Sequence, residues 1–239
     1  STGSYSGERQ LRRRSGEVFW VELTGRCIKD RDPSGGVIWT FLDITARRKA
    51  EDDTRAALAR QRIESAGLSG SIEVLEVDYR DLTGTYDKLV SIEMIEAIGH
   101  QYLDTYLAKC ASLLKPEGLA LIQAITIEDH RYEQALGSVD FIKRHIFPGS
   151  FIPCVSAITG AAGRASDLRL VNLEDIGPSY ALTLNHWRQR FLSTLDQVRA
   201  LGYDERFIRM WEFYLCYCEG GFIERSIGDV HLLFARPGN

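Results

Sequence analysis

Apolar and polar positions alternate along the first part of this chain and then cease to. From Glu8 to Arg14 and from Val18 to Arg26 the alternation has period two about Ser15-Gly16, the pattern of an antiparallel hairpin. Asp32-Pro33-Ser34-Gly35-Gly36 is a turn signal. Val37–Leu42, rich in β-branched and aromatic residues, predicts a third strand. Asp43-Ile44-Thr45 then leads into ARRKAEDDTRAALARQRIESAG, an alanine- and charge-rich helix. Beyond it the pattern becomes one of short apolar runs between longer segments. Residues 72–77, 86–92 and 119–126 read as buried strands. Tyr102–Leu114 reads as a helix stopped by Lys115-Pro116-Glu117-Gly118. A strand, a helix and a strand within about 40 residues form a βαβ unit, so the three strands are expected to be neighbours and parallel.

One of these runs ends in chemistry. In YDKLVSIEMIEAIGH the apolar residues give way to Glu93 and Glu96. Carboxylates beyond the C-terminal end of a buried strand stand where open α/β sheets bind ligands. The alternative is that both cap or solvate a helix. Gln123 and Ile125, at the end of the next run, project near the same edge as Glu96.

Composition narrows the class. Of 239 residues 44% are hydrophobic and 26% charged, as in an ordinary globular protein. No apolar run is long enough to span a bilayer, and STGSYSGERQLRRR has no apolar core, so no signal peptide is expected. Five cysteines, an odd number, point to reduced thiols and a cytosolic setting. Cys216 and Cys218 are too close for a CxxC motif, and no metal site is expected. Residues 1–60 hold 12 Lys/Arg and 9 Asp/Glu, a net charge of +3 against −4 for the whole chain. Nucleic-acid binding calls for a more concentrated basic face.

The segments YDKLVSIEMIEAIGH, GLALIQAIT, IFPGSFIP, LEDIGPSYALTLNHWRQRF and FYLCYCEGGF together resemble the cyclopropane fatty acid synthase family, which includes the mycolic acid cyclopropane synthases. The resemblance runs from about Arg62 to Gly238. It implies the seven-stranded α/β methyltransferase fold. It also implies S-adenosylmethionine-dependent methylene transfer to the cis double bond of an unsaturated phospholipid acyl chain, at the inner face of a membrane. The implied base is a bound bicarbonate. Glu96 matches the family glutamate, Ile125 the position whose backbone contacts the anion, and Tyr180 the family tyrosine. Gln123 stands where many members have histidine, and the family's cysteine donor lies in a part absent here. Asp78 and Tyr79 match the segment along the adenine ring, although a plain turn after a strand reads equally well. FIKRHIFPGSFIP and FYLCYCEGGF would line the acyl channel by the same analogy, and unaided they read as amphipathic core helices. Lys143, Arg144 and His145 read either as contacts for lipid phosphates or as a solvated basic turn.

The first 60 residues follow another pattern. RRRSGEVFWVEL, GGVIWTFLDIT and RRKAEDD resemble the C-terminal half of a PAS domain, a class that often dimerises. The glycine-rich loop that opens the family's nucleotide site is not found. Gly35-Gly36 precedes a strand, and Gly160–Gly163 and Gly220-Gly221 come too late. The expected architecture is α/β: PAS-like strands over 1–45, a connecting helix over 46–70, and a truncated Rossmann-like methyltransferase core over 71–239. Val37–Leu42 is a candidate for the slot of a missing methyltransferase strand. Asp43 at its end is a candidate ribose ligand, or else caps the helix that follows. Without the loop, S-adenosylmethionine binding is expected to be weak or lost.

Overall fold

A computed structural model describes residues 4–12, 14–15, 17–29 and 32–238. It divides into two compact units, Ser1–Val77 and Asp78–Asn239.

In the first unit β1 (Ser4–Arg12), β2 (Val18–Lys29) and β3 (Asp32–Asp43) form an antiparallel sheet in the order β1-β2-β3. Arg12 pairs with Val18, so the hairpin is where the alternation puts it, although Gly16 of its turn lies outside the described residues. The turn expected at Asp32–Gly36 is not there. Lys29 already faces Asp32, and residues 32–36 belong to β3, while residues 30–31 lie outside the described set. Proline and glycine are tolerated because β3 is an edge strand, where a missing N–H costs no ladder bond.

Helix α1 (Thr45–Ser65) starts where the chain turns back on β2: Ile44 N–H donates to Trp20 O at 2.9 Å, and Trp20 N–H donates to Thr45 Oγ1 at 2.9 Å. Only Ala56 of this helix is buried. Residues 72–77 are a further correction, since they form no strand. Ile72, Leu75 and Val77 are exposed, and Arg60 reaches Val74 O and Glu76 from α1. A short apolar run becomes a strand only when a neighbour completes its ladder, and this run has none.

The second unit is built on one four-stranded sheet in the order β4-β5-β7-β6. Its strands are β4 (Tyr86–Ile92), β5 (Leu114–Ile127), β6 (Arg169–Asp175) and β7 (Ile227–Ala235). β4 and β5 are parallel neighbours, as the βαβ reading requires, while β7 runs antiparallel between β5 and β6. β3 pairs in its own sheet and takes no place in this one, because the hairpin partner next to it in sequence claims it first.

The crossover helix is α2 (Leu103–Ser112). Lys115–Gly118 do not end it. They are already strand, because the chain after β7 supplies partners: Arg236 Nη1 donates to Leu114 O, Gly238 N–H to Pro116 O and Arg236 N–H to Gly118 O. After β5 come α3 (Tyr132–Leu136), a single π-helical turn at Ile142–Ile146 in place of a longer amphipathic helix, and α4 (Val155–Ala165). α5 (Gly177–Ser193), α6 (Leu195–Ala200) and α7 (Glu205–Ile223) fill the chain between β6 and β7.

Strand alternation divides the sheet into two faces. Ala120, Ile122, Ala124, Val230, Leu232 and Phe234 join α2 and α4 in the larger core. On the opposite face Ile125 and Ile227 pack with Ala181 and Leu184 of α5 and Leu215 and Phe222 of α7. Gln123 shares this second face with Ile125, and Asp229 and His231 alternate with Val230 and Leu232. Polar side chains therefore interrupt the apolar layer under α5.

Candidate functional site

The polar cluster grows from the C-terminal end of β4. Glu93, the first residue past the strand, has φ +47°, a left-handed conformation that a non-glycine residue adopts at a cost on the order of 1 kcal/mol. Its N–H donates to Gln123 O at 3.1 Å, which continues the β4–β5 pairing by one bond and fixes the bend. Glu93 Oε1 accepts from Gln123 Nε2 at 3.2 Å, and Oε2 accepts from the Tyr180 hydroxyl at 3.2 Å. Tyr180 stacks on Phe222 with ring centroids 4.8 Å apart. Burial and the nearby Glu93 carboxylate push its phenol up from the ordinary tyrosine value, so it stays a donor.

Gln123 is held from a second side. Its Nε2 donates to Asp229 Oδ2 at 2.7 Å, and its Oε1 lies 3.3 Å from His231 Nε2. The other ring nitrogen of His231 is 3.9 Å from Glu174 on β6. With its oxygen toward the imidazole, the amide can present only N–H groups to the carboxylates.

Glu96 follows three residues after Glu93, in the 3₁₀ turn Ile95–Ala97. Its Oε1 accepts from Ile125 N–H at 2.6 Å, and its Oε2 is buried without a partner. Burial, above all, pushes its carboxyl up to about 7, backbone N–H groups oppose this, and the charges of Glu93 and Asp229 add to it. Asp229 is fully buried, and its Oδ1 also lacks a partner. Burial pushes it up to about 7 as well, against the bond from Gln123 and with help from Glu93 and Asp175. Two acids held near neutrality beside a tyrosine and an amide can take up or release a proton.

Of the residues singled out from sequence, Gln123 and Tyr180 meet on Glu93, and Glu96 meets the Ile125 backbone, two positions along the same strand face. Asp78 and Tyr79 lie before β4 rather than in this cluster. Asp78 caps the short turn Tyr79–Asp81 by accepting from Arg80 N–H at 2.9 Å, and the Arg80 guanidinium engages both its oxygens, holding the carboxyl down at about 2. Tyr79 packs edge-on against Tyr106 at 5.8 Å. Asp43 belongs to the first unit, where Oδ1 accepts from Thr45 N–H at 3.0 Å.

Sequence reasoning gave no role to Asp229 or His231 and noticed Glu93 without assigning it one. The available signal was IGDVHLLFA, in which an aspartate and a histidine two apart occupy one face of an otherwise apolar strand. Among the described residues no three His, Cys, Asp or Glu side chains are grouped to hold a metal ion.

Residues 51–232 match the family described as mycolic acid cyclopropane synthetase. The tuberculostearic acid methyltransferase UfaA1 of Mycobacterium tuberculosis is 44% identical over 203 residues, which is 85% of this chain and 45% of that protein. The cyclopropane-fatty-acyl-phospholipid synthase of Escherichia coli K12 is 34% identical over 179 residues, 75% of this chain and 44% of the relative. The chain thus spans a little under half the length of these curated relatives. Among solved structures, the cyclopropane synthase MmaA2 of M. tuberculosis superposes with a TM-score of 0.65 at 20% identity, over 76% of this chain and 66% of that one. The mycolic acid cyclopropane synthase CmaA1 complexed with SAH and CTAB gives 0.62 at 23%, over 72% and 65%. These likenesses show a shared methyltransferase fold.

Proposed function

The chain belongs to the mycolic acid cyclopropane synthetase family, and we propose on that footing that it carries the acceptor side of an S-adenosylmethionine-dependent reaction at the double bond of an unsaturated phospholipid acyl chain. The observation that carries this reading is the convergence of Glu93, Glu96, Gln123 and Tyr180 at the C-terminal ends of β4 and β5, where α/β sheets place their ligands. The printed activities of the relatives, a tuberculostearic acid methyltransferase and a cyclopropane-fatty-acyl-phospholipid synthase, support an acyl substrate. The sphingolipid C9-methyltransferase of Candida albicans, 29% identical over 144 residues, widens the range of acceptable lipids.

The described residues do not fit the nucleotide cofactor equally well. No glycine-rich loop follows any strand among them: Gly160 and Gly163 lie within α4, and Gly220 and Gly221 within α7. Asp78 has both oxygens committed to Arg80. A loop of that kind supplies close backbone approach that bulkier residues deny. Cofactor binding by this chain is therefore expected to be weak and turnover slow.

The lipid would be met at a membrane surface, from the cytoplasmic side. Phe213 and Tyr217 are exposed against the Phe141 ring, and Phe147 is exposed against Tyr214, which supports contact with apolar chains. Among the described residues no helix is long and apolar enough to cross a membrane. For the first unit we retain the PAS-derived reading, with dimerisation as its role. Its support is the order of three antiparallel strands followed by a helix.

The test uses the full chain with methyl-labelled S-adenosylmethionine and vesicles of unsaturated phospholipid, with cofactor binding followed by calorimetry. The expected result is a dissociation constant weaker than low micromolar and a slow gain of one CH₂ per acyl chain, abolished by Glu96→Gln. No label in the lipid at saturating cofactor would favour the competing reading, a non-catalytic lipid-binding module.

A further inference from the structure

Tyr180, Gln123 and the Ile125 backbone are the donors that the family resemblance hands to a bound bicarbonate. In this chain all three are engaged by side-chain carboxylates. The Tyr180 hydroxyl and the Gln123 amide donate to the two oxygens of Glu93, each at 3.2 Å, and Ile125 N–H donates to Glu96 at 2.6 Å. A bicarbonate entering here would find its donors spent and would face charges of its own sign. The residues present do not fit that anion.

Glu93 is set in its place by several independent contacts. Its backbone adopts φ +47° and is pinned by the bond from its N–H to Gln123 O. The amide that meets it is oriented in turn by Asp229 and His231, through contacts of 2.7 and 3.3 Å. A strained glutamate whose two oxygens each meet a positioned donor is over-determined by its surroundings, the condition under which backbone strain persists at functional sites.

We propose that the Glu93 carboxylate occupies the anion position of this site and is the chain's own proton acceptor, in place of bicarbonate. The inference rests on reading the site as one that methylates an alkene. The step balances without a further reactant. The methyl carbon newly bonded to the alkene, beside the carbocation, loses a proton to a Glu93 oxygen. The electron pair of that C–H bond forms the second carbon–carbon bond that closes the ring, and the carboxylate becomes a carboxylic acid that later returns its proton to solvent.

The test uses ¹³C-bicarbonate alone, without cofactor or lipid, titrated into the full chain at neutral pH and followed by NMR line broadening against chloride at equal ionic strength. The native chain is expected to show no saturable binding. Glu93→Gly, which suits a positive φ and so keeps the fold, is expected to gain saturable bicarbonate binding that the native chain lacks, because two donors are released. Glu93→Asn, the other residue type tolerant of this conformation, should behave in the same direction. Adding Tyr180→Phe to Glu93→Gly should remove most of the gain, which locates the ion. Saturable binding by the native chain, or no binding by either single variant, overturns the proposal. Because neither cofactor nor lipid is present, a failure of methyl transfer leaves this outcome unaffected.

Discussion

The phenol of Tyr180 on α5 and the carboxylate of Glu93 after β4 are 87 residues apart in sequence and joined by a hydrogen bond of 3.2 Å. The bond ties the helix layer to the end of the sheet at the point where the apolar layer is interrupted. Tyr180 also stacks on Phe222 of α7, so the ring is held in place even without its hydroxyl.

Tyr180→Phe should therefore preserve the packing and remove only the donor. The expected cost is about 1–2 kcal/mol, as for a hydrogen bond to a charged group that is partly open to water. Urea unfolding of the native and variant chains measures it. An unchanged midpoint would mean that water replaces the phenol at no cost.

Glu96 and Asp229 make stability depend on pH in the direction opposite to most carboxylates. Both have folded values raised to about 7, from ordinary values of 4.5 and 3.8. The native state therefore holds more protons than the unfolded chain between pH of about 4 and 7. The stability these acids contribute is present at the acidic end of that window and is lost as pH rises through about 7. The urea midpoint should be higher at pH 5.5 than at pH 8. Asp229→Asn should flatten the difference, since it removes one of the two titrations and one of the charges that raise Glu96. A midpoint that rises with pH across this window would contradict the assignment.

Arg80 decides the state of Asp78. With the guanidinium fork on both oxygens and the Arg80 N–H on one, Asp78 is held down at about 2. In Arg80→Ala the carboxyl should titrate close to the ordinary aspartate value, with the backbone bond lowering it slightly. Carboxyl carbon shifts followed by NMR report this directly. The same variant frees Asp78 to meet a ligand, so cofactor affinity should rise or stay level rather than fall if Arg80 is the competitor for that carboxylate.

Strands β4 and β5 and helix α2 are legible in the sequence because each is fixed by local chemistry: an unbroken apolar run, a periodic segment, and a crossover long enough to make the strands parallel. The hairpin at Arg12–Val18 is legible for the same reason. Glu96, Gln123 and Tyr180 could be named from family-like segments, and Glu96 and Gln123 stand at strand ends where ligands gather.

What failed in the sequence reading required partners remote in the chain. Ile72–Val77 has the composition of a strand and no strand to pair with. Lys115–Gly118 has the composition of a helix stop, yet it extends β5 because Arg236 and Gly238, more than a hundred residues later, complete its backbone bonds. The roles of Glu93, Asp229 and His231 came from the same source, the register that sets β7 against β5 so that His231 faces Gln123 and Asp229 faces Ile125. Periodicity and composition are properties of neighbouring residues and settle which segments are helix or strand. Which carboxylate receives the donors of Tyr180 and Gln123 depends on contacts between segments 30 to 106 residues apart, and only the packed sheet brings those together.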